Sequence, residues 1–167
     1  MIETHLNLSV NEIKWDSSFP QYKTLCPEIL SLTINYIHEH KKLDVLSHQK
    51  PLIFNLCLSN DVEIQQLNKE FRHLDKPTNV LSFANIDDPF FNTQLNLEKE
   101  IEMGDIMIAL ETLQTEATIK NIPLQHHFTH LFIHGILHLL GYDHIEDDEA
   151  EVMEAREQEL LDAWRAQ

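Results

Sequence analysis

Glycine is scarce in this chain, three residues in 167, and proline is little commoner at six. So few chain breakers exclude a linker-rich or disordered protein. Cysteine occurs only twice, as Cys26 and Cys57, each in apolar surroundings. That excludes a disulfide-stapled scaffold, and the two read as buried free thiols of a reducing cytoplasm. No stretch reaches the ~18 apolar residues that a membrane span needs. The start, MIETHLNLSVNEIKW, lacks the basic segment and apolar run of a secretion signal. Bases are also few: 12 Lys and Arg stand against 28 Asp and Glu, a net charge of −16. Such a surface on balance repels nucleic acid.

What is present is ordinary for a globular protein, with 43% apolar and 24% charged residues. The length suits one domain spanning residues 1–167. The acidity is uneven. Residues 145–167 hold nine acids and two bases, and residues 85–105 hold six acids and one base. Residues 60–81 hold four acids and three bases, with His73 among them. This middle segment is far less acidic than the other two, so an RNA partner is compatible with acidic segments that face away from it.

Alternation of apolar and polar residues predicts a strand over 4–10, and PLIFNLCL predicts a buried strand over 51–58. A helical stripe runs from Pro20 to about Lys42. Ser59, Asn60 and Asp61 offer caps for a short helix through Glu70, with Ile64 and Leu67 facing inward. TNVLSF, 78–83, predicts a strand, and Pro77 before it suits a sheet edge. Residues 85–102 read as an exposed acidic loop, 104–110 as a strand and 111–121 as a helix. A further helix runs from Pro123 to about Leu140, where Gly141 supplies the stop. Asp148 and Glu151 predict a capping box for a last helix that buries Val152, Met153, Leu160, Leu161 and Trp164. The sum is an α+β fold: one compact domain, a small mixed sheet of about four strands, and four or five helices.

The richest stretch is HGILHLLGYDH, His134 to His144. His134 and His138 lie four apart on the predicted helix and so share a face. Gly141 ends the helix, and His144 follows at a distance that lets it swing back. Three neutral imidazoles suit zinc and leave a fourth position for water, the pattern of a catalytic site. The spacing is that of a zinc protease, yet Gly135 stands where such a protease carries its glutamate base. His130, one turn earlier, reads equally as a partner of the site or as a hydrogen-bonded helix histidine. His126 and His127 read as ordinary helix histidines, and Asp143 as closing the turn.

Phosphodiesters make a different demand from peptides. Charge develops on their oxygens, and a metal with an arginine stabilises it. Arg72 is available between the predicted helix and TNVLSF, and a guanidinium fork matches phosphate oxygens. On its own residues, pairing with Glu70 or Asp75 at the surface is the plainer reading.

HGILHLLGYDH, LNKEFRHLDKPTNVLSF and GDI at 104–106 together resemble the bacterial YbeY family. The resemblance covers about residues 55–155, and the first 50 residues match no motif. It implies a zinc-dependent, single-strand-specific endoribonuclease of ribosomal RNA maturation and ribosome quality control. By that resemblance His134, His138 and His144 are the ligands of one Zn2+ ion and Arg72 is the catalytic or phosphate-contacting arginine. The implied partners are single-stranded ribosomal RNA, ribosomal subunits and their associated factors, in the cytoplasm, with neither DNA nor membrane. Lys76 and His73 are expected to help hold the RNA backbone. Ala84 stands where family members often have proline. Two other readings stay open: a metalloprotease-like zinc hydrolase, and a non-catalytic ribosome-assembly factor with a structural zinc.

Overall fold

Three parallel strands and one reversed strand form the single sheet. In a computed structural model that describes residues 1–167, β1 (Thr4–Val10) pairs in parallel with β2 (Leu52–Ser59). Three helices lie between them: α1 (Lys14–Ser18), α2 (Tyr22–His40) and α3 (Asp44–Ser47). After β2 come α4 (Asp61–Arg72), β3 (Val80–Ala84), a 3-10 turn at Asn85–Asp87, and α5 (Phe91–Leu97). β4 (Ile101–Ala109) then inserts in parallel beside β2, and β3 runs antiparallel along its far side. The strand order is β1-β2-β4-β3, which gives the mixed four-stranded sheet that the sequence predicts. β3 is an edge strand, the position that Pro77 at its approach suits. Helices α6 (Leu110–Lys120), α7 (Leu124–Leu139) and α8 (Asp147–Arg165) complete the chain.

The number of helices is eight, not four or five. Two of the extra ones, α1 and α3, have five and four residues, too few to show a 3.6-residue period. The third, α5, replaces the predicted acidic loop. Phe91 and Leu95, four apart, are each 3% exposed and join the core. Asp88 accepts from the Phe90 N–H at 2.8 Å and fixes the approach to this helix. The amides and threonine around Phe91 and Leu95, with charges flanking the segment, hid an apolar pair at helical spacing.

Helix α7 is the central element. Phe128, Phe132, Ile133, Ile136 and Leu137 are all fully buried, and α7 packs on β3, β4, α2, α6 and α8. Gly135 lets it lie close to the sheet: a Cβ there would meet Ile106 Cγ2 of β4 at 2.9 Å. The neighbouring α4 is tied to α6 at its start. Asp61 accepts from the Thr112 N–H and hydroxyl at 3.1 and 2.6 Å, and Glu111 accepts from the Asp61 N–H at 3.0 Å. Asn60 caps α4 through the Glu63 N–H, as predicted.

Helix α8 starts differently from the prediction. Glu146 is its N-cap and makes no side-chain bond, so the Asp148–Glu151 box does not form. Asp147, Asp148 and Glu149 instead fill the first turn, where their charge favours the positive end of the helix dipole. Met153, Leu160 and Leu161 are buried as predicted and Trp164 is half-buried, but Val152 points outward and is 45% exposed. Cys26 is buried, Cys57 is half-buried, and both are free thiols. No helix is long and apolar enough to cross a membrane.

Candidate active site

The last two turns of α7 set His134 and His138 side by side, with ring centroids 4.6 Å apart. Gly141, at φ +102°, then reverses the chain in a conformation that side-chain-bearing residues rarely adopt. Its N–H bonds to the His138 carbonyl and that of Tyr142 to the Leu137 carbonyl, both at 3.0 Å, which seals the helix end. The chain returns with His144, whose ring lies 5.7 Å from that of His134 and 5.0 Å from that of His138. One nitrogen from each of the three lies within 4.8 Å of the others. Asp143 accepts from the His144 N–H at 2.7 Å and so closes the turn.

The outer nitrogens of the helical pair are already engaged. Nδ1 of His138 donates to the Tyr142 carbonyl at 3.0 Å, and Nδ1 of His134 donates to Glu157 in a short bond. Both Nε2 atoms are then left as bare lone pairs, yet they face each other at 3.1 Å. Two acceptors at that distance repel unless a cation lies between them. Two imidazoles bound tetrahedrally to zinc at ~2.05 Å would hold their nitrogens about 3.3 Å apart. The donor set therefore fits a metal ion, and the fixed tautomers point the right nitrogens at it. Burial, followed by the charges of His134 and His144, pushes His138 down to about 4, so it is neutral at pH 7 and open to ligation.

Glu157 was not anticipated from the sequence. It projects from α8 and is 9% exposed. One carboxylate oxygen takes His134, and the other takes Nε2 of His130 at 2.9 Å. Burial acts to raise its pKa, but hydrogen bonds from His130 and His134 and their charges prevail and hold it at about 2. An available signal was its place four residues after Met153 and three before Leu160, on the core-facing side of α8. A carboxylate on that face needs a partner. His130 is thereby a partner of the site. His127 is structural: it is 1% exposed and bonds Glu116 at 2.8 Å. His126 lies edge-on to Trp164.

Arg72 is the last residue of α4, one turn beyond the buried Asn68. It is exposed and makes no hydrogen bond or ion pair with either acid that the sequence offered; Asp75 bonds Gln65 at 3.0 Å and pairs with Lys69 at 3.6 Å. Arg72 and all three histidines line one cleft of about 380 Å³, whose far wall is the edge strand β3. His73 and Lys76 do not line it. His73 instead takes the left-handed conformation, φ 59°, that ends α4.

The family model described as endoribonuclease YbeY matches residues 12–165. A Sinorhizobium fredii protein named endoribonuclease YbeY is 40% identical over 161 residues, covering 96% of this chain and 88% of its own. The chain belongs to the YbeY family. A Francisella tularensis protein of the same name is 42% identical over 158 residues, covering 93% of this chain and 84% of its own. A solution structure from Thermotoga maritima resembles this one with a TM-score of 0.54 and 25% identity, across 97% and 93% of the two chains. The family match begins within the stretch before α1, well ahead of the motif-bearing residues 55–155. The YbeY likeness thus extends from just before α1 to the end of α8 and not only over the histidine motif.

Proposed function

We propose that this protein is a zinc-dependent endoribonuclease that cuts single-stranded RNA in ribosomal RNA maturation and ribosome quality control. In this reading residues 1–167 act as one catalytic domain in the cytoplasm, with ribosomal subunits and their associated factors as partners. The observation that carries the reading is the meeting in one cleft of three convergent imidazoles and an unpaired guanidinium.

His134, His138 and His144 would hold one zinc ion, since three neutral imidazoles suit that metal and leave a position open. When bound, the ion supplies Lewis-acid polarisation of a phosphate oxygen or activation of a hydroxyl group. The side chains do the rest. Glu157 and the Tyr142 carbonyl keep His134 and His138 in the tautomers that ligation needs. Arg72 takes phosphate oxygens in its fork and stabilises the charge that builds as phosphorus becomes five-coordinate. Having no acidic partner, it meets the phosphate without first breaking an ion pair.

Gly135 is explained by packing. Its position faces Ile106 of β4, so a glutamate there would collide with the sheet. The missing base of the protease motif is a consequence of how close α7 lies to β4, and it does not by itself select RNA over peptide.

The test is cleavage of single-stranded RNA by wild type, His134→Ala and Arg72→Ala, with metal content measured on each. Wild type is expected to carry one zinc and cut; His134→Ala to lose both; Arg72→Ala to keep the metal and cut poorly. Equal cleavage by all three proteins would mean a contaminating nuclease and would overturn the reading.

A further inference from the structure

The histidine cluster does not sit at the blind end of its cleft. A second cavity, of about 250 Å³, opens on its other side, and both cavities have Asn79, Val80, His134 and His144 in their walls. The cleft therefore continues past the imidazoles in two directions. Endonucleolytic cutting needs such a form, because nucleotides flank the scissile phosphate on both sides.

Positive charge is divided between the two arms in the same way. In this acidic chain Lys23, Lys41, Lys69, Arg156 and Arg165 are all engaged with carboxylates. Arg72 is the only lysine or arginine of the first arm, and Lys120 is the only one of the second. Neither is in an ion pair. Lys120 ends α6 with an exposed side chain. Its charge is close enough to His127 and Glu116 to help lower both.

The rest of the second arm suits a nucleoside. Leu131 and Met153 give it an apolar wall, and the ring of His130 is 36% exposed beside them. Of its two acids, Glu157 is already bonded to His130 and His134, which leaves Glu154 as the one unengaged carboxylate.

We infer that the second arm binds the nucleotide on the opposite side of the scissile phosphate from Arg72, with Lys120 on its phosphate and its base against His130, Leu131 and Met153. The inference rests on the endoribonuclease reading and names the substrate path within it. At about 250 Å³ the arm is far too small for a duplex, which favours single strands.

The experiment compares wild type with Lys120→Ala and Lys120→Arg, using a fluorescent single-stranded oligoribonucleotide long enough to fill both arms. Binding is read by anisotropy and cleavage by steady-state kinetics, each across a range of salt. Lys120→Ala is expected to raise Kd and KM about fivefold, to leave kcat unchanged, and to reduce the slope of log K against log salt by about one. Lys120→Arg should restore binding. Shortening the RNA from one end only should erase the difference between Lys120→Ala and wild type. Cleavage with equal KM and equal salt slope in both proteins overturns the arm and leaves the endoribonuclease reading standing. So does a difference that survives shortening from either end, since Lys120 would then act through general charge. RNA that binds, is weakened by Lys120→Ala and is never cut overturns the endoribonuclease reading and keeps the arm. Failure of wild type to bind RNA at all overturns both.

Discussion

Helix α7 carries three histidine–carboxylate pairs, and two of them, two turns apart, have opposite fates. His127 bonds Glu116 of α6, and His134 bonds Glu157 of α8. The pairs use the same chemistry and differ in what the second ring nitrogen meets. For His127 it is sealed in the protein without a partner, and the ring is 1% exposed. For His134 it faces His138 across 3.1 Å at the floor of an open cleft. A carboxylate on one nitrogen thus marks neither a structural nor a ligating histidine. Convergence of the other nitrogen with further donors is what fits a histidine to hold a metal.

The largest effect should come from exchanging the fates of these two residues. His134→Ala is expected to lose its metal and all RNA cleavage, whereas His127→Ala keeps both and loses about 1–3 kcal/mol of stability, as an engaged buried group is removed. Metal analysis and denaturant unfolding of the two variants check this, and retention of zinc by His134→Ala would break the contrast.

Arg72 stands outside both pairs and tests whether the open cleft is used. Arg72→Ala should lower kcat by about 10²–10³, the usual cost of losing one preorganised donor to developing charge. Its thermal midpoint should equal that of wild type, because Arg72 is exposed and bonds nothing. Arg72→Lys should recover only part of the rate, since an ammonium lacks the bidentate fork.

The two carboxylates give a smaller and sharper contrast. Glu157→Gln should weaken metal affinity about 10–100-fold, the range typical for residues that orient a ligand imidazole. Glu116→Gln should leave metal affinity unchanged. Competition with a chromogenic chelator reads both, and equal affinities would show that Glu157 serves packing alone.

The smallest effect is the pH dependence of the sealed pair. Burial lowers the pKa of His127, so below about 6.5 the unfolded chain takes a proton that the folded chain refuses. Glu116 is also lowered: burial opposes this, but the bonds from His127 and Asn79 prevail. Its stabilisation is present above the unfolded carboxylate value of 4.5 and is lost as pH falls through the folded one. Both groups make stability fall on acidification. Urea unfolding at pH 7.5 and pH 5.5 should show a larger loss for wild type than for His127→Phe. A larger loss in the variant would reverse the sign and refute it.

Much of this was legible in the linear pattern. β1, β2, β3 and α7 begin and end within about two residues of their predicted limits, because their apolar periods are long and a proline or glycine bounds α7 and the approach to β3. α5 was missed because it is only seven residues long and buries one apolar pair, Phe91 and Leu95, with the apolar Phe90 and Leu97 left exposed beside them. Reading Gly135 as a chemical omission was natural in one dimension, but its position is fixed by contact with Ile106, 29 residues away in the chain.

By itself the sequence determined the local half of the candidate site. His134 and His138 share a helix face by their spacing of four, and Gly141 turns the chain so that His144 returns, all through backbone geometry that neighbouring residues control. Only the tertiary structure decided which groups gather around them. Glu157 arrives from α8, Arg72 from the end of α4, and Lys120 from the end of α6. Their meeting depends on how helices pack across one sheet, and burial and distance, which set the charge and tautomer of each group, exist only once that packing is made.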